Sequence, residues 1–179
     1  MQITTTTEPP PPEPAPKQVQ HTLSVFVNNR PGVLMRICQV FARRAFNIDS
    51  LVVSQGRDAR FSRMTIGITG DPEGLEQIIR QVGKLIDVIH CSEHASDNSV
   101  TKEMVLIKLR CSPHERSQAL QITEHFAGKT VDLTPASMIV MITGDSGKLD
   151  SAIAMFSQFE IIETVRTGKV VMARGEQPT

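Results

Sequence analysis

The sequence predicts an α+β chain made of two tandem ferredoxin-like βαββαβ units. Three observations carry this. First, MTIGITGDPEGLE (64–76) returns as MIVMITGDSGKLD (138–150), with ITGD repeating at an offset of 74. The apolar positions keep step on both sides: Ile66 meets Val140, Leu75 meets Leu149 and Val88 meets Ile162. Second, period-2 and period-3.6 apolar patterns alternate in the same order in both halves. Third, Asp71 and Asp145 stand where a helix N-cap belongs, and Pro72 fits a first helical position.

Each element of the first unit follows from its pattern. Leu23, Val25 and Val27 alternate, so 22–27 is a strand. Val33, Leu34, Ile37, Val40 and Phe41 form a helical stripe. A strand over 48–53 meets a strand over 61–69 through a hairpin turn at Gln55-Gly56-Arg57-Asp58. The helix from Asp71 buries Leu75, Ile78, Ile79 and Val82, and a strand over 86–92 follows. The second unit repeats the order: a strand over 104–110, a helix over 113–126, and strands near 130–134 and 137–143. A helix over 146–156 buries Leu149, Ala152, Ile153 and Phe156, and strands near 159–165 and 169–174 end the unit. The expected units are 21–95 and 102–175, joined by a linker over 95–102. This is the split βαβ plan, with two helices on one face of an antiparallel sheet. Units of this size are marginal alone, and the open sheet face and strand edges invite self-association.

Composition narrows the function. Net charge is +0 with a pI near 7.0, so no basic face for nucleic acid is indicated. Aromatics are 4% with no Trp or Tyr, which leaves no stacking platform for bases. No apolar run nears the roughly 20 residues of a membrane helix. Cys38, Cys91 and Cys111 are odd in number and lack a CxxC, which indicates a reducing compartment, the cytoplasm, rather than a disulfide framework. Residues 1–20 hold six of the eleven prolines and read as a disordered, partly polyproline-like tail.

Catalytic motifs are missing: no GxSxG, Walker A or HExxH occurs. His90-Cys91-x-x-His94 is the most metal-like cluster, but strand alternation sends His90 and Cys91 to opposite faces. Cys38 reads as core, Cys111 as the start of a turn, and His21 and His125 show no partner. His114 reads as exposed surface charge. Arg43 and Arg44 complement a helix C-terminus, while Arg57, Arg60 and Arg63 flank the hairpin as a solvated face or a partner contact. Neither a catalytic residue nor a metal ligand is assigned.

One junction stands out. NNRPGVL (28–34) ends a strand and opens a helix. Backbone N–H groups at a helix start favour a carboxylate, Gly32 allows close approach, and Asn29 offers a donor and an acceptor. These parts suit an amino-acid zwitterion. They equally suit a plain cap and turn.

The stretches LSVFVNNRPGVL, FARRAFNIDSL (41–51), SRMTI (62–66), LEQIIRQVGKLIDVI (75–89), VDLTPAS (131–137) and ITGDSGKLDSAI (142–153) together resemble one family. The first unit is similar to an ACT domain. The chain from about 21 to 175 resembles the small regulatory subunits of acetolactate synthase (acetohydroxyacid synthase). The resemblance implies a non-catalytic chain that activates a separate large subunit. That subunit carries thiamine diphosphate, a divalent metal (Mg) and FAD, and this chain carries no cofactor. It also implies feedback inhibition by a branched-chain amino acid, most often valine, bound at the interface of an ACT homodimer. The family's effector loop falls on Asn29, Gly32, Val33 and Leu34, and a second element from the neighbouring protomer falls on Asn47 and Ile48. Two other readings remain: an ACT-type regulator of a different enzyme or transcription factor, and a small enzyme with a dispersed site.

Overall fold

The computed structural model describes residues 19–179, apart from 96 and 177. Residues 1–18 of the Pro-rich tail expected over 1–20 lie outside the described residues, and Val19 and Gln20 already belong to the first strand, where they pair Gly70 and Thr69. The first sheet has strand order β2-β3-β1-β4, from β1 (Val19–Asn28), β2 (Ile48–Gln55), β3 (Phe61–Gly70) and β4 (Val88–Glu93), all antiparallel. Helices α1 (Val33–Arg43) and α2 (Pro72–Val82) cover one face. The second sheet has order β6-β7-β5-β8, from β5 (Ser99–Arg110), β6 (Lys129–Leu133), β7 (Ser137–Gly144) and β8 (Glu160–Arg166). Helices α3 (Pro113–His125) and α4 (Ser146–Phe156) cover it. Both halves are α+β with the βαββαβ order.

Each half has its own core. Leu23, Val25 and Val27 alternate inward from β1 to meet Val33, Ile37 and Phe41 of α1 and Leu75, Ile78 and Val82 of α2. Val105, Ile107 and Leu109 of β5 do the same against Leu149, Ala152 and Phe156 of α4. The ITGD signal positions α2 and α4 at the expected offset, and each Asp caps its helix: Asp71 accepts from Gly74 N at 2.7 Å and Asp145 from Lys148 N at 2.8 Å.

Several boundaries differ from the sequence reading. The β2–β3 turn is residues 56–60, longer than Gln55–Asp58, and is closed by Gly56 N donating to Phe61 O at 2.9 Å. β4 starts at Val88, because Ile86 is left 92% exposed in the preceding turn. The stretch expected as a linker up to 102 is instead strand from Ser99, since Ser99–Lys102 pair with a ninth strand, β9 (Val170–Ala173). β9 is the strand expected near 169–174, and it pairs this extension of β5. Cys38 is half-buried rather than core, and Cys111 is fully buried in the second core. His21 does have a partner: its Nδ1 lies 2.6 Å from Glu93 Oε1.

The first sheet's outer face is not open. Ser24 and Thr65 point away from the helices yet are buried. The turn between β8 and β9 packs against β2, and Arg63 on this face donates to Thr179 O. Each of the four edge strands carries a register shift against its neighbour, at Ile48/Ser50, Phe26/Val27, Lys108/Leu109 and Thr130/Asp132. Such bulges blunt an edge against indiscriminate strand addition.

Ile37 is fully buried between α1 and the sheet. Ile37→Ala is expected to cost about 2–5 kcal/mol in urea unfolding, the range for truncating a core aliphatic side chain.

Candidate functional site

Four residues, 29–32, separate β1 from α1, whereas only Cys111 and Ser112 separate β5 from α3. The longer junction is held firmly. Asn28 N donates to Asp87 O at 2.9 Å, and Asn29 N donates to Arg60 O at 2.7 Å. The Asn29 side-chain amide donates to Ala59 O at 2.9 Å. One N–H of the amide is therefore used within the fold, and among the described residues its carbonyl oxygen accepts no hydrogen bond. The 56–60 turn that receives these bonds is itself braced by Asp58, whose carboxylate accepts from Arg60 Nε at 2.9 Å and Nη2 at 2.6 Å. Hydrogen bonds from the Arg60 side chain and backbone lower the Asp58 pKa to about 2. Arg36 on α1 pairs with the buried carboxylate of Asp87, tying the helix start to the α2–β4 turn.

Gly32 is the N-cap of α1, with φ +82° and ψ −6°. That left-handed conformation suits glycine. No side chain caps this helix and its first turn holds no acidic residue. The other three helices close their own ends. Asp71 and Asp145 cap α2 and α4. Glu115 accepts from Ser112 N at 2.9 Å and from its hydroxyl at 2.6 Å at the start of α3. These same bonds lower the Glu115 pKa. The α1 start thus keeps the positive end of its dipole without an internal anion, a setting that accepts a carboxylate from outside.

The other expected residues divide. Val33 faces the core and is buried, so its side chain is unavailable to a ligand. Leu34 is 36% exposed beside the more exposed Met35. Asn47 is exposed and donates to Asp49 Oδ1 at 3.0 Å, while Ile48 is half-buried at the start of β2. The two groups do not meet in one protomer. Asn28 faces Phe61 on β3, and Ile48 faces Ile68. That interval along a strand is ~23 Å. A single small ligand bridges them only if a second copy of the chain contributes one half.

The metal-like cluster resolves into separate faces. Cys91 faces Val25 and packs on the first core, where burial raises its thiol to about 11. His90 faces Phe26 and is exposed, and His94 Nε2 lies 3.3 Å from Ser92 Oγ. Among the described residues no three His, Cys, Asp or Glu side chains converge as metal ligands, and no helix is long and apolar enough to cross a membrane. Sequence reasoning missed the Arg36–Asp87 pair and the His21–Glu93 pair. Their partners lie far apart in the chain and leave no local signal.

Comparison with known proteins shows the family. Residues 23–90 match the family described as AHAS small subunit-like ACT domain, and residues 102–175 match the small subunit of acetolactate synthase. A probable acetolactate synthase small subunit of Archaeoglobus fulgidus is 41% identical over 89% of this chain and 99% of its own length. The acetolactate synthase isozyme 3 small subunit of Escherichia coli is 38% identical over 89% and 98%. The crystal structure of the acetolactate synthase small subunit from Thermotoga maritima superposes with a TM-score of 0.81 at 35% identity, covering 89% of this chain and 99% of that one.

A Cβ at Gly32 would stand 3.3 Å from Arg36 Nη1, on a backbone that disfavours L-residues. Gly32→Ala is expected to lower stability by about 1–2 kcal/mol in urea titrations.

Proposed function

Because the chain belongs to the acetolactate synthase small-subunit family, regulatory and non-catalytic, we propose that it places the large catalytic subunit under feedback control by a branched-chain amino acid. Catalysis, with thiamine diphosphate, Mg and FAD, belongs to that large subunit. The effector's carboxylate takes the uncapped start of α1 at Gly32, and its ammonium group takes the free carbonyl oxygen of Asn29. Leu34 and, from the neighbouring protomer, Ile48 bury its branched side chain, with Asn47 as a further polar contact. Val33 contributes through its backbone position only. The observation that carries this reading is the α1 junction: among the described residues, the one helix start left without a side-chain or acidic cap, at the end of a junction two residues longer than its counterpart.

The ~23 Å between the two groups supports a homodimer formed through the first unit. We assign 21–95 to effector binding and dimerisation and 102–175 to a second ferredoxin-like domain. Three free cysteines suit a reducing, cytoplasmic setting.

Calorimetric titration of the full chain with valine tests the reading. Valine carries two more side-chain carbons than alanine, worth ~1–2 kcal/mol on burial, so valine is expected to bind roughly 5–30-fold tighter. Gly32→Asp places a carboxylate where the effector's belongs and is expected to abolish binding. Equal heats for valine and alanine, or full binding by that variant, would overturn the site. Leucine and isoleucine titrations decide which side chain is preferred.

Asn47→His removes a carboxamide that also steadies Asp49. A loss of one hydrogen bond to a charged group of the effector predicts about 12–160-fold weaker binding in the same titration. Unchanged affinity would remove Asn47 from the site.

A further inference from the structure

β2 has two loads. At its start, Asn47 and Ile48 belong to the proposed effector site. Three residues on, it carries the second unit. A Cβ on Gly168, in the turn between β8 and β9, would lie 2.9 Å from Val52 Cγ2, 3.1 Å from Ser50 Cβ and 3.3 Å from Leu51 N. The turn therefore rests on β2 at a distance only glycine permits. Beside it, Lys169 Nζ donates to Gln20 Oε1 at 3.2 Å.

The two loads are separated by a bulge. Ile48 faces Ile68, but Ser50 faces Gly67, so Asp49 is an extra residue in the ladder. Its carboxylate accepts from Asn47 Nδ2 at 3.0 Å and from Thr69 Oγ1 at 2.7 Å. Side-chain bonds hold this point where ladder bonds do not. Below it, a cleft of about 530 Å³ opens between the units, with Asp49 and Ser50 on one side and Glu103, Asp150 and Lys169 on the other. The bulge has space to move.

The turn it bears on is stiff. Thr167 N donates to Met104 O at 2.9 Å, and Met104 N donates to Thr167 Oγ1 at 3.0 Å. Arg166 bridges Glu103 and Asp150, each at 2.6 Å, and Glu103 is buried and also accepts from Ser146. A push on Gly168 is delivered to β5 and α4 rather than absorbed in the turn.

We infer that β2 is the relay between the units: effector contact at Asn47 and Ile48 resets the Asp49 bulge, and Ser50–Val52 pass the shift to Gly168 and so to the C-terminal unit. This rests on the effector reading above. It satisfies the requirement that coupling pass through an element whose position both sites bias.

The test separates binding from its consequence. Gly168→Ala forces the turn off β2 without touching the effector residues. Valine affinity by calorimetry is expected to stay within about threefold of wild type. The valine concentration giving half-inhibition of the reconstituted holoenzyme is expected to rise at least about tenfold, within the usual range of coupling. Adding Val52→Ala removes the nearest clashing atom and is expected to restore much of the inhibition. Hydrogen exchange on the wild-type chain gives an independent reading: valine should change exchange at 166–170, which it does not touch. That measurement decides the matter if Gly168→Ala does not fold. Normal inhibition in Gly168→Ala, or no exchange change at 166–170 while valine binds, overturns the relay. Failure of the wild-type chain and holoenzyme to respond to any branched-chain amino acid overturns the effector reading itself.

Discussion

A four-stranded sheet with helices on one side has a second face to account for, and the architecture follows from how that face is covered. In the first unit the middle of the outer face is made of small residues, Ser24, Thr65 and Gly67, with Phe26, Phe61 and Arg63 clustered toward one end. That middle cannot hold a partner by hydrophobic burial alone. It can admit backbone closely. The second unit supplies that backbone: β5 runs back to Ser99 to pair β9, and the turn before β9 presses Gly168 onto β2. Two units that would each be marginal alone are thereby stacked into one body without merging their cores.

The duplication makes the functional difference readable. α2 and α4 are near copies, each beginning on an Asp cap after ITG. α1 and α3 are not. α3 begins at a Ser112–Glu115 box, in which Glu115 takes the N–H of the capping Ser112. α1 begins on a left-handed glycine, after a loop two residues longer, with no such closure. The added length is not slack, since Asn28, Asn29 and Arg36 are all tied to neighbouring turns. A rigid loop holding an unneutralised helix start is a costly feature to keep as a mere turn.

Much of this fold was legible because it is written locally. Alternation at Leu23, Val25 and Val27, the caps at Asp71 and Asp145, and the 3/4-spaced stripes need only a short window of sequence. What escaped was non-local. Ser99–Lys102 reads as linker until Val170–Ala173 arrives to pair it. His21 finds Glu93 only because β1 and β4 are neighbours in the sheet. The repeat also misled by its regularity: the 74-residue offset holds from the ends of β3 and β7 onward but not before, because the β2–β3 hairpin is longer than the β6–β7 hairpin. In the site, Gly32 and Asn29 could be singled out from the chemistry of one junction. Asn47 and Ile48 could not, since no local pattern links them to a loop at the other end of the sheet; family resemblance alone drew attention to them. Val33 looked like a ligand contact by position, and packing turned it inward.

The separation of the two groups along the sheet has a thermodynamic consequence. The proposed effector site takes its halves from two copies and could not be filled without joining them, so effector binding and association would be linked equilibria. The bulges on β2 and β4 then have a positive meaning. They keep the edges from pairing with any passing strand, so the arrangement of copies is left to side chains such as Leu34, Met35 and Val53, which the fold leaves exposed near α1 and β2. Those same side chains flank the α1 junction and the strand that carries Gly168. On the proposed reading, control by a branched-chain amino acid would ask for no hinge or lid: a bulged strand, loaded at one end by the neighbouring copy's ligand and at the other by its own second unit, would be a sufficient device.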